Sequence, residues 1–352
     1  MIPAWTVEPG IAGSARIERL DEPPGTGEML VEALAVGICG TDREILAGEF
    51  GKAPPGRRRI VLGHESLGRA VDAPSGSGFW PGDLVAGIVR RPDPVPCPAC
   101  AADEWDMCGN GLYTERGIKG LDGYAAERWR IEPHFAVRVD RRLGETGVLL
   151  EPASIAAKAW EHIDRIGARS SWSPTRVLVT GAGPLGLLAA LLGKQRGLEV
   201  HVLDRVTSGP KPALARDLGA TYHTGSVEDA CPNADIVVEC TGAAEVVMQA
   251  VASTAPNGIV CLTGVSSGSR TVRIDASALN NSLVLENDVV FGSVNANRRH
   301  YEAAHRALLD ADPGWLGRCI TRRLPSTDWL EAVGSAPDDV KVILTFPGLS
   351  AP

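Results

Sequence analysis

The stretch Val177-Leu178-Val179-Thr180-Gly181-Ala182-Gly183-Pro184-Leu185-Gly186 decides the fold. A short apolar run ends in three glycines spaced G-x-G-x-x-G, and an apolar helical stretch, 187–195, follows. Alone, that spacing is a weak signal; between a strand and a helix it reads as a dinucleotide-binding turn. Gly181 permits the tight turn, Gly183 lets the backbone approach a diphosphate, and Gly186 lets the helix sit close on the strand. Pro184 and Leu185 belong to the same turn, where the free N–H groups and dipole of the helix start suit an anion. The bland alternative is a tight glycine turn with no ligand, and the strand–turn–helix context counts against it. The next strand ends in Asp204. A carboxylate there suits a ribose diol and repels a 2′-phosphate, which predicts NAD; Arg205 beside it leaves NADP open.

Outward from this turn, strand and helix alternate. Strands are expected at 176–180, 199–204, 235–239, 259–263 and 289–292. Helices are expected at 152–167, 185–196, 211–218 and 246–253. Nearly continuous apolar strands separated by helices predict an α/β domain with a doubly wound parallel sheet. The first 150 residues differ: Pro and Gly are frequent, and short runs such as 29–36, 66–73 and 83–89 suit a mostly β domain. After 298 come a helix, 300–309, and two short strand-like segments, too small for a core of their own and expected to return to the N-terminal domain. The expected division is therefore 1–153, completed by 299–352, and a dinucleotide-binding domain over 154–298. A chain of 352 residues suits two domains. Its net charge of -8 disfavours nucleic acid and anionic membrane, and Arg57-Arg58-Arg59 reads as a solvated loop. Neither a secretory leader nor a bilayer-length apolar run is visible. A cytoplasmic location is expected, where the eight cysteines serve as thiols or metal ligands rather than disulfides.

Two further segments carry chemistry: Gly37-Ile38-Cys39-Gly40-Thr41-Asp42 and Gly63-His64-Glu65. A thiolate, an imidazole and carboxylates suit Zn²⁺. Three protein ligands with an open fourth position make the ion a Lewis acid toward an alcohol oxygen. Thr41 is placed to hydrogen-bond that alcohol and pass its proton outward. Taken singly, Cys39 reads as a buried thiol and His64 as a satisfied loop histidine. Paired, with a dinucleotide turn downstream, they read as ligands.

The order Cys39-Gly-Thr-Asp, Gly-His64-Glu65, a cysteine-rich loop, Glu151-Pro152 and then the glycine turn resembles the zinc-containing medium-chain alcohol dehydrogenase superfamily along essentially the whole chain. That resemblance implies a GroES-like catalytic domain, a Rossmann domain and an active site in the cleft between them. It implies Cys39 and His64 as ligands of a catalytic zinc. Glu65 would sit at the ion, binding directly or through water, and Glu151 would be an exchangeable fourth ligand; Thr41 and Glu65 are the candidate catalytic residues. Within the superfamily, Gly37–Glu44, Val89-Arg90-Arg91-Pro92, Glu115-Arg116-Gly117-Ile118, Gly123-Tyr124, Ala255-Pro256-Asn257-Gly258 and Gly292-Ser293-Val294-Asn295 resemble the archaeal-type glucose 1-dehydrogenase branch. There the counterparts of Thr41, Glu115, Glu151 and Asn295 look toward sugar hydroxyls or the nicotinamide, apt chemistry for a small polyhydroxylated substrate. Three places depart from the branch: Asp204-Arg205-Val206 stands where members that favour NADP carry an Arg pair and no Asp, Leu285-Glu286-Asn287 lacks an expected histidine, and Ile155 stands where some relatives carry an acid. An aldose, a polyol, an aminocyclitol and a threonine-type substrate therefore all stay open, as does a non-catalytic nucleotide sensor on the same scaffold.

Cys97-x2-Cys100-x7-Cys108 resembles the superfamily's structural zinc lobe, with Pro94 where the first of four cysteines belongs. Asp93, Asp103, Asp106 or Glu115 could complete it, although Glu115 fits the substrate better; a metal-free loop of three thiols is the competing reading. Thr241 and Val265, at the carboxyl ends of strands, are further cofactor contacts. His300 and His305, five apart on a helix, read as packing or surface residues. By analogy of fold, the strand around Val289–Val294 pairs between subunits, giving a homodimer or homotetramer.

Overall fold

The computed structural model describes residues 1–21, 27–266 and 271–348; positions 349–352 of the closing segment lie outside the described residues. A six-stranded, fully parallel sheet forms the first layer. Its order is Thr221–His223, Glu199–Leu203, Arg176–Thr180, Ala234–Glu239, Thr254–Leu262, Val289–Gly292. The first strand of the layer in sequence, Arg176–Thr180, sits at its centre, with Val177 opposite both Val200 and Ile236. Its apolar residues are buried on both faces, because helices cover both sides. The helix Pro184–Gln195 starts with Pro at its first turn, where a missing N–H costs nothing. The helix Leu150–Gly167 lies against it, and the Trp160 indole N–H donates to the Ala189 carbonyl at 3.1 Å.

The second layer is a seven-stranded sheet built around Met29–Ile38. That strand pairs antiparallel with Glu65–Asp72, with Arg128–Ile131 and with Lys341–Thr345. Ile320–Pro325 adds in parallel to Lys341–Thr345, so the end of the chain is woven into the sheet built around Met29–Ile38. Two small sheets flank it; one joins Arg90–Arg91, Thr114–Arg116 and Gly120–Leu121. The fold is α/β, a Rossmann-type doubly wound sheet beside a mostly β layer.

The helix Ala276–Glu286 is the element that periodicity does not announce. It buries none of its residues, and Val284 and Leu285 stand 65% and 78% exposed. A helix without a core-facing stripe leaves no period to read. Arg57, Arg58 and Arg59 are engaged by Asp122, Glu8 and Thr6, so the basic run is spent on local pairing.

Candidate active site

A cleft of about 1180 Å³ runs between the two layers. Cys39, Thr41, His64, Glu65, Glu115 and Glu151 line one end. Gly183, Pro184, Leu185, Gly186, Arg205, Thr241 and Val265 line the other, and Asn295 lies along the wall. Most residues that the sequence nominates are therefore brought together, from segments up to 256 positions apart (295 less 39).

The metal-type cluster is built by two adjacent strand ends. Gly37 pairs with Glu65 in the central sheet, and a Cβ at Gly37 would run into the Glu65 carboxylate, so glycine is required there. Cys39 caps the helix Gly40–Leu46. The ligand atoms of Cys39, His64 and Glu65 lie within 4.8 Å of one another, a donor set that fits zinc. Asp42, at the third helical position, accepts from the Cys39 N–H at 2.9 Å and approaches His64 Nδ1 at 3.5 Å. A carboxylate on the Nδ1 side leaves Nε2 as the nitrogen free to meet an ion. Asp42 was legible only as part of its motif. Lys341 was not legible at all: its Nζ donates to both Glu65 oxygens at 2.6 Å and to the Ile38 carbonyl at 3.1 Å. Glu65 is thus shared with a buried ammonium. Glu151 is pushed up to about 7, by burial first and then by Glu65, against the pull of His64; a cation would draw its proton off.

At the cofactor end the glycines behave as their spacing demands. A Cβ at Gly186 would collide with the Gly181 carbonyl, whereas Gly183 faces open space. Thr241 is fixed by its N–H and hydroxyl to the buried Glu239. Asp204 stands beside the turn. It does not line the cleft; its oxygens accept from the Ala182 N–H at 2.7 Å and the Val206 N–H at 3.0 Å, bracing the turn. Arg205 and Lys211 line the cleft instead.

The three cysteines form a separate cluster. The sulfurs of Cys97, Cys100 and Cys108 lie within 4.8 Å of one another. The N–H groups of Cys100 and Gly109 point at the Cys97 sulfur and hold that thiol near 6, while burial pushes Cys100 to about 11. Of the four acids open as a fourth ligand, Asp106 is taken by Lys158 at 2.8 Å and Glu115 by Arg90 at 3.0 Å. Asp103 is exposed. Asp93 is buried, with Oδ2 unpartnered among the described residues.

His300 and His305 serve the backbone. His300 Nδ1 accepts from the Asn297 N–H at 3.1 Å, and His305 Nε2 accepts from the Asp140 N–H at 2.9 Å. Glu161, His162 and His300 also converge. With Nδ1 of His300 occupied as an acceptor, Nε2 must carry the proton, which opposes metal binding there.

Residues 25–141 match the alcohol dehydrogenase GroES-like domain, and residues 144–346 match the glucose dehydrogenase C-terminus. Glucose 1-dehydrogenase of Methanocella arvoryzae is 39% identical over 97% of this chain and 98% of its own length. That of Thermoproteus tenax is 38% identical, with the same coverage. The solved Haloferax mediterranei glucose dehydrogenase, described in complex with NADP, Zn and gluconolactone, superposes with a TM-score of 0.90 at 33% identity, covering 98% of this chain and 99% of that one. The chain belongs to the glucose dehydrogenase family of the zinc-containing medium-chain alcohol dehydrogenase superfamily.

Proposed function

We propose that this protein is a zinc-dependent, NAD(P)-dependent sugar dehydrogenase that oxidises the alcohol carbon of an unmodified aldose, glucose or a near stereochemical relative. One observation carries the reading: a thiolate–imidazole–carboxylate cluster, a dinucleotide turn and a further carboxylate, Glu115, share one cleft. Zinc bound there supplies a Lewis acid that lowers the pKa of the substrate alcohol. Cys39 and His64 hold it, with Glu65 and Glu151 as exchangeable acidic partners. Thr41 hydrogen-bonds the reacting hydroxyl and moves its proton toward solvent. Glu115 and Asn295 face the remaining hydroxyls. The Gly181–Gly186 turn holds the diphosphate, and Thr241 and Val265 flank the cofactor. The gluconolactone named with the Haloferax enzyme is what oxidation of glucose at its anomeric carbon gives, which supports the substrate class.

The division of the chain at 153/154 and 298/299 is our reading of the two layers. Cys97, Cys100 and Cys108, with Asp93 as fourth ligand, are read as a second, structural zinc site. A second copy of the chain covers the helix Ala276–Glu286 and the edge strand Val289–Gly292, giving a dimer or a pair of dimers. Among the described residues no helix is long and apolar enough to cross a membrane; a cytoplasmic location fits that reading.

The test is initial-rate reduction of NAD⁺ and NADP⁺ across aldoses, polyols, aminocyclitols and threonine, with metal analysis. Chelator-sensitive turnover of an aldose is expected. Cys39→Ala should lose one zinc per chain and activity by several orders of magnitude. Full activity in a metal-free Cys39→Ala protein would end the proposal, and turnover of threonine alone would end its substrate class.

A further inference from the structure

Arg90 is nearly fully buried, 4% exposed, yet lines the cleft. It stands directly across from Glu115 in the small sheet, so the two side chains share a face. Its Nε and Nη2 both donate to Glu115 Oε1, at 3.1 and 3.0 Å, and Nη1 donates to the Asp106 carbonyl at 3.1 Å. The guanidinium lies 3.7 Å over the Tyr113 ring. A third donor reaches the same Glu115 oxygen: Asn295 Nδ2, at 2.7 Å. Asn295 is itself fixed in a left-handed conformation, φ 62, with Oδ1 accepting from the Ala296 N–H. Oε1 is thereby saturated. Oε2 accepts from no donor among the described residues, and Glu115 faces the cleft.

We infer that Arg90 is a positioning residue: it pins Glu115 through Oε1, so that Oε2 alone is offered to a hydroxyl of the substrate. This rests on the assignment of Glu115 to substrate binding made above. The pinned carboxylate can only accept, so its substrate partner must donate. The planar fork of Arg90 aims three N–H donors at two acceptors and stacks on a ring at once, which a lysine cannot reproduce. The anchor extends behind the site. The Asp106 carbonyl also takes Lys158 Nζ at 3.3 Å, and Lys158 reaches the Asp106 carboxylate at 2.8 Å and the Val294 carbonyl, next to Asn295, at 2.9 Å. Asp106 lies between Cys100 and Cys108 in sequence, so the network sets both donors to Glu115 against the cysteine loop.

The test is a double-substitution cycle in the zinc-loaded protein: Arg90→Met, Arg90→Lys, Glu115→Gln and Arg90→Met with Glu115→Gln. Aldose kcat and KM, NAD(P)H binding by fluorescence and thermal midpoint are read for each. Arg90→Met and Glu115→Gln should each raise aldose KM by about 10- to 100-fold, the value of a charged hydrogen bond. NAD(P)H affinity should stay level, the double variant should be no worse than the poorer single one, and Arg90→Lys should recover only part of the loss. If Arg90→Met does not fold, Arg90→Lys takes its place in the cycle. Losses that multiply in the double variant would overturn the inference, as would an unchanged aldose KM in a folded Arg90 variant. If Glu115→Gln leaves KM unchanged while the parent oxidises the aldose, the assignment of Glu115 itself fails. If Glu115→Gln raises KM and folded Arg90 variants do not, only the role of Arg90 fails.

Discussion

His300 shows how a single side chain can contribute to the acid sensitivity of this protein. Burial, aided by Arg299 and Lys158, holds it near 4 against the pull of Asp106 and Glu161. Unfolded, it would protonate near 6.5. Because the folded pKa is depressed, His300 contributes stability that is fully present above pH 6.5 and is lost as pH falls toward 4, about 3 kcal/mol across the window. His300→Asn, whose amide oxygen can still accept from the Asn297 N–H, should flatten the pH dependence of the urea midpoint between 4 and 6.5; an unchanged slope would assign the acid sensitivity elsewhere. Lys158, 1% exposed against the buried Asp106, is a second such point. Lys158→Met leaves a buried carboxylate without its cation and should cost about 3–5 kcal/mol of unfolding free energy. Residues of this kind mark the edge of what the sequence discloses. Cys39, Asp42, His64 and Glu65 are legible because a helical turn and a three-residue run hold them in short motifs. Lys341 meets Glu65 across 276 positions, and Arg90 meets Glu115 across a sheet, so neither carries a local signature. Asp204 carries a role its motif does not announce: its oxygens also accept from the Ala182 and Val206 N–H groups, which leaves each of them further acceptor capacity.

At the scale of elements, five of the six strands of the parallel sheet are legible, four of them to within a residue at each end, while Thr254–Leu262 begins five residues before the expected 259. Each is a short apolar run bounded by turn residues, and Arg176–Thr180 and Val289–Gly292 fall as the pattern predicts. The helix Ala276–Glu286 and the short strand Thr221–His223 are not, since one buries nothing and the other spans three residues. The glycine turn makes a direct prediction. Gly186→Ala forces a methyl group against the Gly181 carbonyl and must push the helix start away from the diphosphate. NAD(P)H affinity should fall by at least roughly tenfold, measured by fluorescence titration, while zinc content stays at the parent value. Retained affinity would show that the turn has room the packing does not suggest.

For the whole molecule, the unpartnered edge is the decisive feature. Val289–Gly292 pairs on one side only among the described residues, and the helix that precedes it in sequence exposes Val284 and Leu285. An exposed strand edge next to apolar side chains invites a second chain. Sedimentation of the parent protein should show a dimer or larger, and Leu285→Glu should shift it toward monomer; a monomeric parent at micromolar concentration would remove the proposed interface.

The tie between Lys341 and Glu65 also gives the protein a calendar. Cys39, His64 and Glu65 leave the ribosome early, but the ammonium that neutralises Glu65 is synthesised 276 residues later. The N-terminal strands therefore wait, with the Glu65 carboxylate unanswered and the Ala35–Ile38 half of one flank of Met29–Ile38 unpaired, until Lys341–Thr345 is made. During that wait the half-built layer depends on whatever shields nascent chains. If zinc binding at the proposed Cys39–His64 site needs this neutralisation, ribosome-bound chains halted before residue 341 should not retain zinc there.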